Sequence, residues 1–315
     1  MRIVFMGSPE FAVDSLKALV ENSKHEVVAV ITQPDRPKGR GQKVLMTAVK
    51  EYAMTKSLPV LQPLKIRTKE FIEELKALKP ELIVVVAFGQ FLPKDILHMP
   101  TYGCINVHAS LLPKYRGAAP IHYAIMNGEK ETGVTIMMMD EGMDTGAMLA
   151  KAAVNISDEM TMGVLHDQLK TAGAELLLSV VEGLEKGTIK PIPQNNAEAT
   201  YASLLDKKIE VIEWTSTAEE IHNKVRGLNP WPGAHSFLPD GRNLKIWQTM
   251  VTEKEYPGIK PGTIIEFTRK GFLVVCGKGS LEIIEVQPAS KKKMAADVFC
   301  NGYKIKLGEI LPIEV

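Results

Sequence analysis

The chain has 315 residues, 45% of them hydrophobic and 24% charged, with 38 Lys and Arg against 37 Asp and Glu; that balance excludes a disordered or fibrous chain and leaves room for two domains. No run of about 18 apolar residues occurs, and Met1 to Phe5 leads straight into a strand pattern, so neither a membrane span nor a signal peptide is expected. Three widely spaced cysteines, Cys104, Cys276 and Cys300, suit neither a disulfide framework nor a zinc site and point to a reducing cytoplasm.

Residues 2–6, 26–32 and 82–87 are short, β-branched, nearly continuous apolar runs, the pattern of strands buried on both faces. Amphipathic stretches lie between them, at 12–20 and 69–78, so strand and helix alternate and predict a doubly wound, mostly parallel, Rossmann-like α/β sheet. A strand at 104–108, a helix near 119–126, a strand near 133–139 and a long helix over 162–184 complete a first domain spanning 1–189. Residues 190–206 are polar and irregular, with Pro191, Pro193, Gln194, Asn195 and Asn196, and read as a linker. Beyond it, a helix near 218–225 precedes Asn229-Pro230-Trp231-Pro232-Gly233, and short runs at 244–247, 263–267, 271–276 and 281–286 predict a small β-barrel of OB-like type over 207–315. Basic residues number 22 against 24 acidic up to residue 206, and 16 against 13 beyond it. The mildly basic C-terminal part is weak evidence for a polyanionic partner.

In Cys104-Ile105-Asn106-Val107-His108 the side chains alternate, so Asn106 and His108 share one face, about 6.6 Å apart along the strand. They stand at its carboxyl end, where ligands bind in open α/β sheets. From spacing alone, a reactive centre and plain satisfaction of buried backbone groups are evenly balanced. A loop over 139–146 adds Asp140, Glu141 and Asp144 with Gly142 and Gly146, which also fits a solvated turn. Residues 36–43, Arg-Pro-Lys-Gly-Arg-Gly-Gln-Lys, form a basic loop for which a solvated surface and a nucleic-acid contact stand even. Gly7 after the first strand invites a dinucleotide reading, but Ser8, Pro9 and Glu10 follow it and the Gly-x-Gly-x-x-Gly fingerprint is missing.

Asn106, His108, the run Ser110-Leu111-Leu112-Pro113-Lys114-Tyr115-Arg116-Gly117 and Asp144 after Gly142 resemble the signature of the folate-dependent formyltransferases. Gly7 to Ala12, Thr32 to Pro37, Asn229 to Ala234 and Gln287 to Lys292 extend the resemblance along nearly the whole chain to the branch acting on methionyl-tRNA; Ser290 departs from it, standing where glycine is more usual. The resemblance implies transfer of the formyl group of 10-formyltetrahydrofolate to the α-amine of methionine on initiator tRNA, without a metal, with Asn106, His108 and Asp144 as the catalytic three. It implies a pterin site at Phe88, Gln90, Leu92, Ser110, Leu111, Leu112, Pro113, Met139, Asp140 and Gly142; Phe88 and Leu92 read singly are as readily core residues. Phe11 is implied to contact the methionine side chain. Arg36, Lys38, Arg40 and Lys43 are implied to meet the acceptor end of the tRNA, and Lys291, Lys292 and Lys293 its acceptor arm. A monomer is the default expectation. The rivals are a formyltransferase for a ribonucleotide or amino sugar, a nucleotide-dependent oxidoreductase and a non-catalytic RNA-binding protein.

Overall fold

A computed structural model of the chain describes residues 1–21, 24–38 and 43–312, with only the backbone of Lys38 and Lys43. Its strands and helices in order are β1 (Arg2–Gly7), α1 (Val13–Glu21), β2 (Glu26–Ile31), β3 (Arg36–Lys38), β4 (Lys43–Leu45), α2 (Ala48–Thr55), β5 (Val60–Leu61), α3 (Lys69–Ala77), β6 (Leu82–Val86), α4 (Lys94–Leu97), β7 (Cys104–His108), β8 (Arg116–Gly117), α5 (Pro120–Met126), β9 (Glu131–Met138), β10 (Met148–Asn155), α6 (Met162–Glu185) and β11 (Tyr201–Ala202). There follow α7 (Ala218–Gly227), β12 (His235–Phe237), β13 (Asn243–Thr252), β14 (Ile264–Phe267), β15 (Phe272–Val275), β16 (Ser280–Pro288), β17 (Met294–Ala295) and α8 (Ala296–Tyr303).

The chain divides into two compact units. The first takes Met1–Pro120, Glu131–Asn155 and His166–Ala202, and the second takes Ile121–Lys130, Ile156–Leu165 and Ser203–Val315. The first unit is built on a sheet ordered β10-β9-β7-β6-β1-β2-β5. Its β7-β6-β1-β2-β5 ladders are parallel, and β9 and β10 add on antiparallel. Ile3 to Met6 and Leu82 to Val84 are fully buried, which is what continuous apolar runs do when helices cover both faces. The amphipathic stripes settle the helices: Leu16 and Leu19 of α1, and Phe71 and Leu75 of α3, are inside. Thr68 and Thr47 cap α3 and α2, each side chain accepting from the backbone N–H three residues on.

The parallel sheet is therefore as expected from the sequence, but the strand β10 was not. Its alternation of half-buried and exposed positions is carried largely by Ala and Lys rather than β-branched residues, a weak strand signature. The second unit is the expected antiparallel β domain, with ladders in the order β12-β13-β16-β15-β14 and β17 on β16. One core fills it, from Trp214, Ile221 and Val225 to Phe272, Ile283 and Phe299. A Thr217–Glu220 capping box starts α7. Among the described residues, no helix is long and apolar enough to cross a membrane.

Candidate active site

The register sets Asn106 beside Val85 of β6 and opposite Met137 of β9. That is the carboxyl end of the parallel strands, with antiparallel β9 as the neighbour of β7 and β10 closing the sheet beyond it. Asn106 is half-buried, and among the described residues its side-chain amide has no hydrogen-bond partner. Its donors are thus uncommitted, whereas His108, 5% exposed, is held on both sides. A carbonyl only accepts, so His108 Nε2 carries a proton and donates to the Tyr115 carbonyl at 2.9 Å. Nδ1 then faces Asp144 Oδ2 at 3.6 Å. A proton on Nδ1 makes this a charge-assisted approach; without one, a lone pair points at a carboxylate.

Asp144 is fixed from three directions. Its backbone is left-handed, with φ at 53°, and its Oδ2 accepts from the Gly117 N–H at 2.8 Å. Gly117 has φ at 115°, and a Cβ there would lie 2.6 Å from the Ala202 carbonyl, so the β8–β11 pairing that aims this N–H requires glycine. The Asp144 carbonyl accepts from Gln194 Nε2 at 2.7 Å, and the same nitrogen reaches the Gly146 carbonyl at 2.8 Å. Gln194 Oε1 in turn accepts from Arg116 Nε at 3.0 Å and Nη2 at 2.8 Å, while Nη2 also meets Asn196 Oδ1 at 2.7 Å. Arg116 is 2% exposed, yet these described partners are neutral carbonyl oxygens. The buried guanidinium therefore orders the backbone around Asp144 without an ion pair that would neutralise it.

The loop after β7 is equally fixed. Thr135 Oγ1 donates to the Ser110 carbonyl at 2.7 Å and accepts from the Leu112 N–H at 3.1 Å, and Ser110 Oγ donates to the Lys114 carbonyl at 2.6 Å. Lys151 Nζ donates to the Leu112 carbonyl. Asp140 serves its own loop, accepting from the Gly142 N–H at 3.0 Å and Thr145 Oγ1 at 2.6 Å. Phe88 and Leu92 belong to the core cluster with Ile66, Val85, Ile96 and Cys104, against which Met139 packs. Gln90 Oε1 accepts from the Ile66 N–H at 3.3 Å, and Gln33 Nε2 donates to the Phe88 carbonyl at 3.0 Å. These side chains therefore support the segment from inside, while Phe91 between them is exposed. Phe11 is buried, edge-on to His166 at 5.3 Å.

Of the expected tRNA-facing residues, Arg40 lies outside the described residues. Arg36 is exposed and pairs with Leu45 across β3 and β4, and Lys38 pairs with Lys43 in the same backbone register. Just before this hairpin, Asp35 accepts from Lys50 Nζ at 2.6 Å and from Gln62 Nε2 at 2.7 Å, bonds that hold its carboxyl below the usual range. In the second unit Lys291, Lys292 and Lys293 are exposed, and Lys293 Nζ sits 3.6 Å from the centre of the Trp247 ring. Trp247 is itself fixed by a bond from Nε1 to Gln287 Oε1 at 3.0 Å.

Sequence reasoning missed Gln194 and gave Arg116 no role. Gln194 sat in a polar stretch read as linker, and nothing in its local pattern distinguishes it. The signal available for Arg116 was its place in the Ser110 to Gly117 run.

Residues 1–181 match a family model described as formyl transferase, and residues 204–304 match one described as formyl transferase, C-terminal domain. The chain is 50% identical over 311 residues to the methionyl-tRNA formyltransferase of Acetivibrio thermocellus, covering 99% of each chain. It is 51% identical over 312 residues to the protein of that name from Clostridium botulinum, again covering 99% of each. Among solved structures, an N-formyltransferase from Helicobacter canadensis in complex with folinic acid and dTDP-3-aminofucose shares the fold at a TM-score of 0.68 and 23% identity, over 90% of this chain and 99% of that one. HypX from Aquifex aeolicus in complex with tetrahydrofolic acid does so at 0.62 and 18%, over 98% of this chain and 48% of that one.

Proposed function

We propose, from the premise that this chain belongs to the formyl transferase family, that it formylates methionyl-tRNA with Asn106, His108 and Asp144 at the reacting atoms. It is a methionyl-tRNA formyltransferase in activity, its relatives of that name matching it from end to end at about half of all positions. The finer reading takes 10-formyltetrahydrofolate as donor and the α-amine of methionine on initiator tRNA as acceptor. It assigns catalysis to residues 1–189, a linker to 190–206 and tRNA binding to 207–315, and the working unit is a monomer.

The observation that carries the assignment of roles is the uncommitted Asn106 amide beside the fixed His108–Asp144 pair. A free α-amine has a pKa of about 7.7–8.0, so a fair fraction is already nucleophilic near neutral pH and needs no strong base. Attack on the formyl carbon builds negative charge on its oxygen. The Asn106 N–H donates to that oxygen, and a protonated His108, its two N–H groups turned to Tyr115 and Asp144, stabilises it through its positive charge. Asp144 holds the imidazole in place and, through a water, carries a proton from the incoming amine toward the departing nitrogen of the donor. The backbone of Phe88 to Leu92, Ser110 to Pro113 and Met139 to Gly142 reads the pterin edge. Arg36, Lys38, Arg40 and Lys43 engage the acceptor end, and Lys291 to Lys293 the acceptor arm, by charge.

The test is a competition: purified protein, 10-formyltetrahydrofolate, methionyl-tRNA and, as rival acceptors, glycinamide ribonucleotide and a nucleotide-linked amino sugar. Formyl-methionyl-tRNA is the expected product. Formylation confined to a small amine would overturn the reading.

A further inference from the structure

Helices α3 and α4 enclose a depression of about 810 Å³ lined by Lys69, Ile72, Glu73, Lys76, Lys79 and Pro80 on one side and Lys94, Asp95, His98 and Met99 on the other. The volume lies in the range of small-ligand sites. Lys69, Lys76 and Lys79 are exposed, and among the described residues none has an ion-pair partner. Two acids in the lining, Glu73 and Asp95, set against four lysines, leave it cationic. The floor is apolar: Ile72 and Met99 are half-buried and pack on the cluster that contains Phe88 and Leu92 and carries Met139. Lys94 Nζ, in the lining, contacts Glu141 Oε1 at 2.8 Å, tying the depression to the loop that carries Asp140, Gly142 and Asp144.

The geometry points to this groove as the binding site for a γ-linked polyglutamate tail on the folate donor. The inference rests on the reading above, in which the donor lies against 88–92 and 139–142. Lys94 joins the groove to that loop, and Lys69, Lys76 and Lys79 line it along α3 and just past its end. A γ-glutamyl chain repeats one carboxylate and a short methylene stretch in a thin flexible strand. Its carboxylates meet the unpaired ammonium groups of Lys69, Lys76 and Lys79, while its methylenes lie on Ile72 and Met99. An RNA backbone is favoured less, because stacked helical phosphates do not need an apolar floor and the expected RNA contacts lie on other segments, 36–43 and 291–293.

The test compares 10-formyltetrahydrofolate bearing one glutamate with the form bearing five, at saturating methionyl-tRNA. In the unmodified enzyme the pentaglutamyl donor has the lower KM, by about fivefold at low salt, and the advantage shrinks as salt rises. The triple variant Lys69→Gln, Lys76→Gln, Lys79→Gln brings the ratio of the two KM values close to one. Glu73→Gln, which removes a repelling charge, widens the ratio by about twofold. Equal KM values in the unmodified enzyme overturn the inference. So does a triple variant that keeps the ratio but raises KM for methionyl-tRNA, because the groove would then serve the RNA. Formylation by both donors without a length preference refutes the tail site and leaves the proposed function standing; no formyl-methionyl-tRNA from either donor refutes both.

Discussion

The carboxyl end of β7 and the Trp247 face of β13 both gather polar groups assigned to the same substrate, yet they are built on opposite terms. Around β7, His108 and Arg116 are buried, Asp144 is half-buried, and each is spoken for: His108 by Tyr115 and Asp144, Asp144 by Gly117 and Gln194, Arg116 by Gln194 and Asn196. The Asn106 amide is held in reserve among them. In the turn after β16 the cations are exposed, and the described anchor of Lys293 is the aromatic face of Trp247 on β13 rather than a carboxylate. A fixed geometry of donors suits charge that appears for an instant at one atom. A loose set of exposed cations suits charge spread along a polyanion, where number matters more than position. Substitutions in the two regions should therefore differ by orders of magnitude, and in which kinetic constant they change.

The largest effect is expected at Asn106. In Asn106→Ala, kcat for formylation falls by about 10² to 10³, the loss typical of one oxyanion donor. Because the amide has no partner to abandon among the described residues, the melting temperature stays close to that of the unmodified protein. A kcat within about threefold of normal, far short of an oxyanion-donor loss, would remove Asn106 from the reacting atoms, and a collapse of stability would make it a structural residue.

Gln194→Ala probes the supporting layer and comes second. It deletes the donor to the Asp144 and Gly146 carbonyls and an acceptor of the buried Arg116 guanidinium. Stability drops by about 1–3 kcal/mol, the usual cost of leaving a buried polar group short of a partner. Through displacement of Asp144, kcat falls by about tenfold to a hundredfold. The KM for tRNA stays nearly constant, a split that denaturant titration and steady-state kinetics together can read. A variant less stable but with full kcat would cut the link between the Arg116 network and Asp144.

These two residues also mark where the sequence is readable. Asn106 and His108 could be placed on one face because a strand has a period of two and this one is flanked by buried Ile105 and Val107. The parallel strands themselves were legible for a similar reason, since burial on both faces leaves no alternative composition, whereas their order comes from the structure. Gln194 was not legible, because its role comes from a chain segment 50 residues from Asp144 folding back, and polar loops carry no periodicity. Phe88 and Leu92 show the converse: sequence left them even between the wall of a site and the core, and the structure buries them in the cluster beneath. Side-chain type was informative about the segment, but not about which atoms of it face outward.

In the exposed region, Lys291→Gln, Lys292→Gln and Lys293→Gln together leave kcat alone and raise KM for methionyl-tRNA. Every lysine–phosphate pair removed lessens the slope of log KM against log salt by about 0.7–0.9. Kinetics at several salt concentrations check this, and an unchanged slope would take these lysines off the RNA.

The smallest effect concerns the turn that presents those lysines. Ser290 occupies the third position of the turn from Pro288 to Lys291, closed by the Lys291 N–H on the Pro288 carbonyl at 3.0 Å, and its φ is 62°. That left-handed conformation costs an L-residue about 1–2 kcal/mol, which glycine avoids. Glycine in turn loses more chain entropy on folding, which offsets roughly 0.5–1 kcal/mol of the gain. Ser290→Gly should therefore stabilise the protein by about 0.5 kcal/mol, a rise of about 2–4 °C if the C-terminal unit melts as a domain of its own size. Because the turn keeps its shape, the lysines keep their positions and KM for methionyl-tRNA is unaltered. Thermal unfolding followed by tryptophan fluorescence reads the shift. A fall in melting temperature would mean that the Ser290 hydroxyl, rather than the backbone, holds the turn.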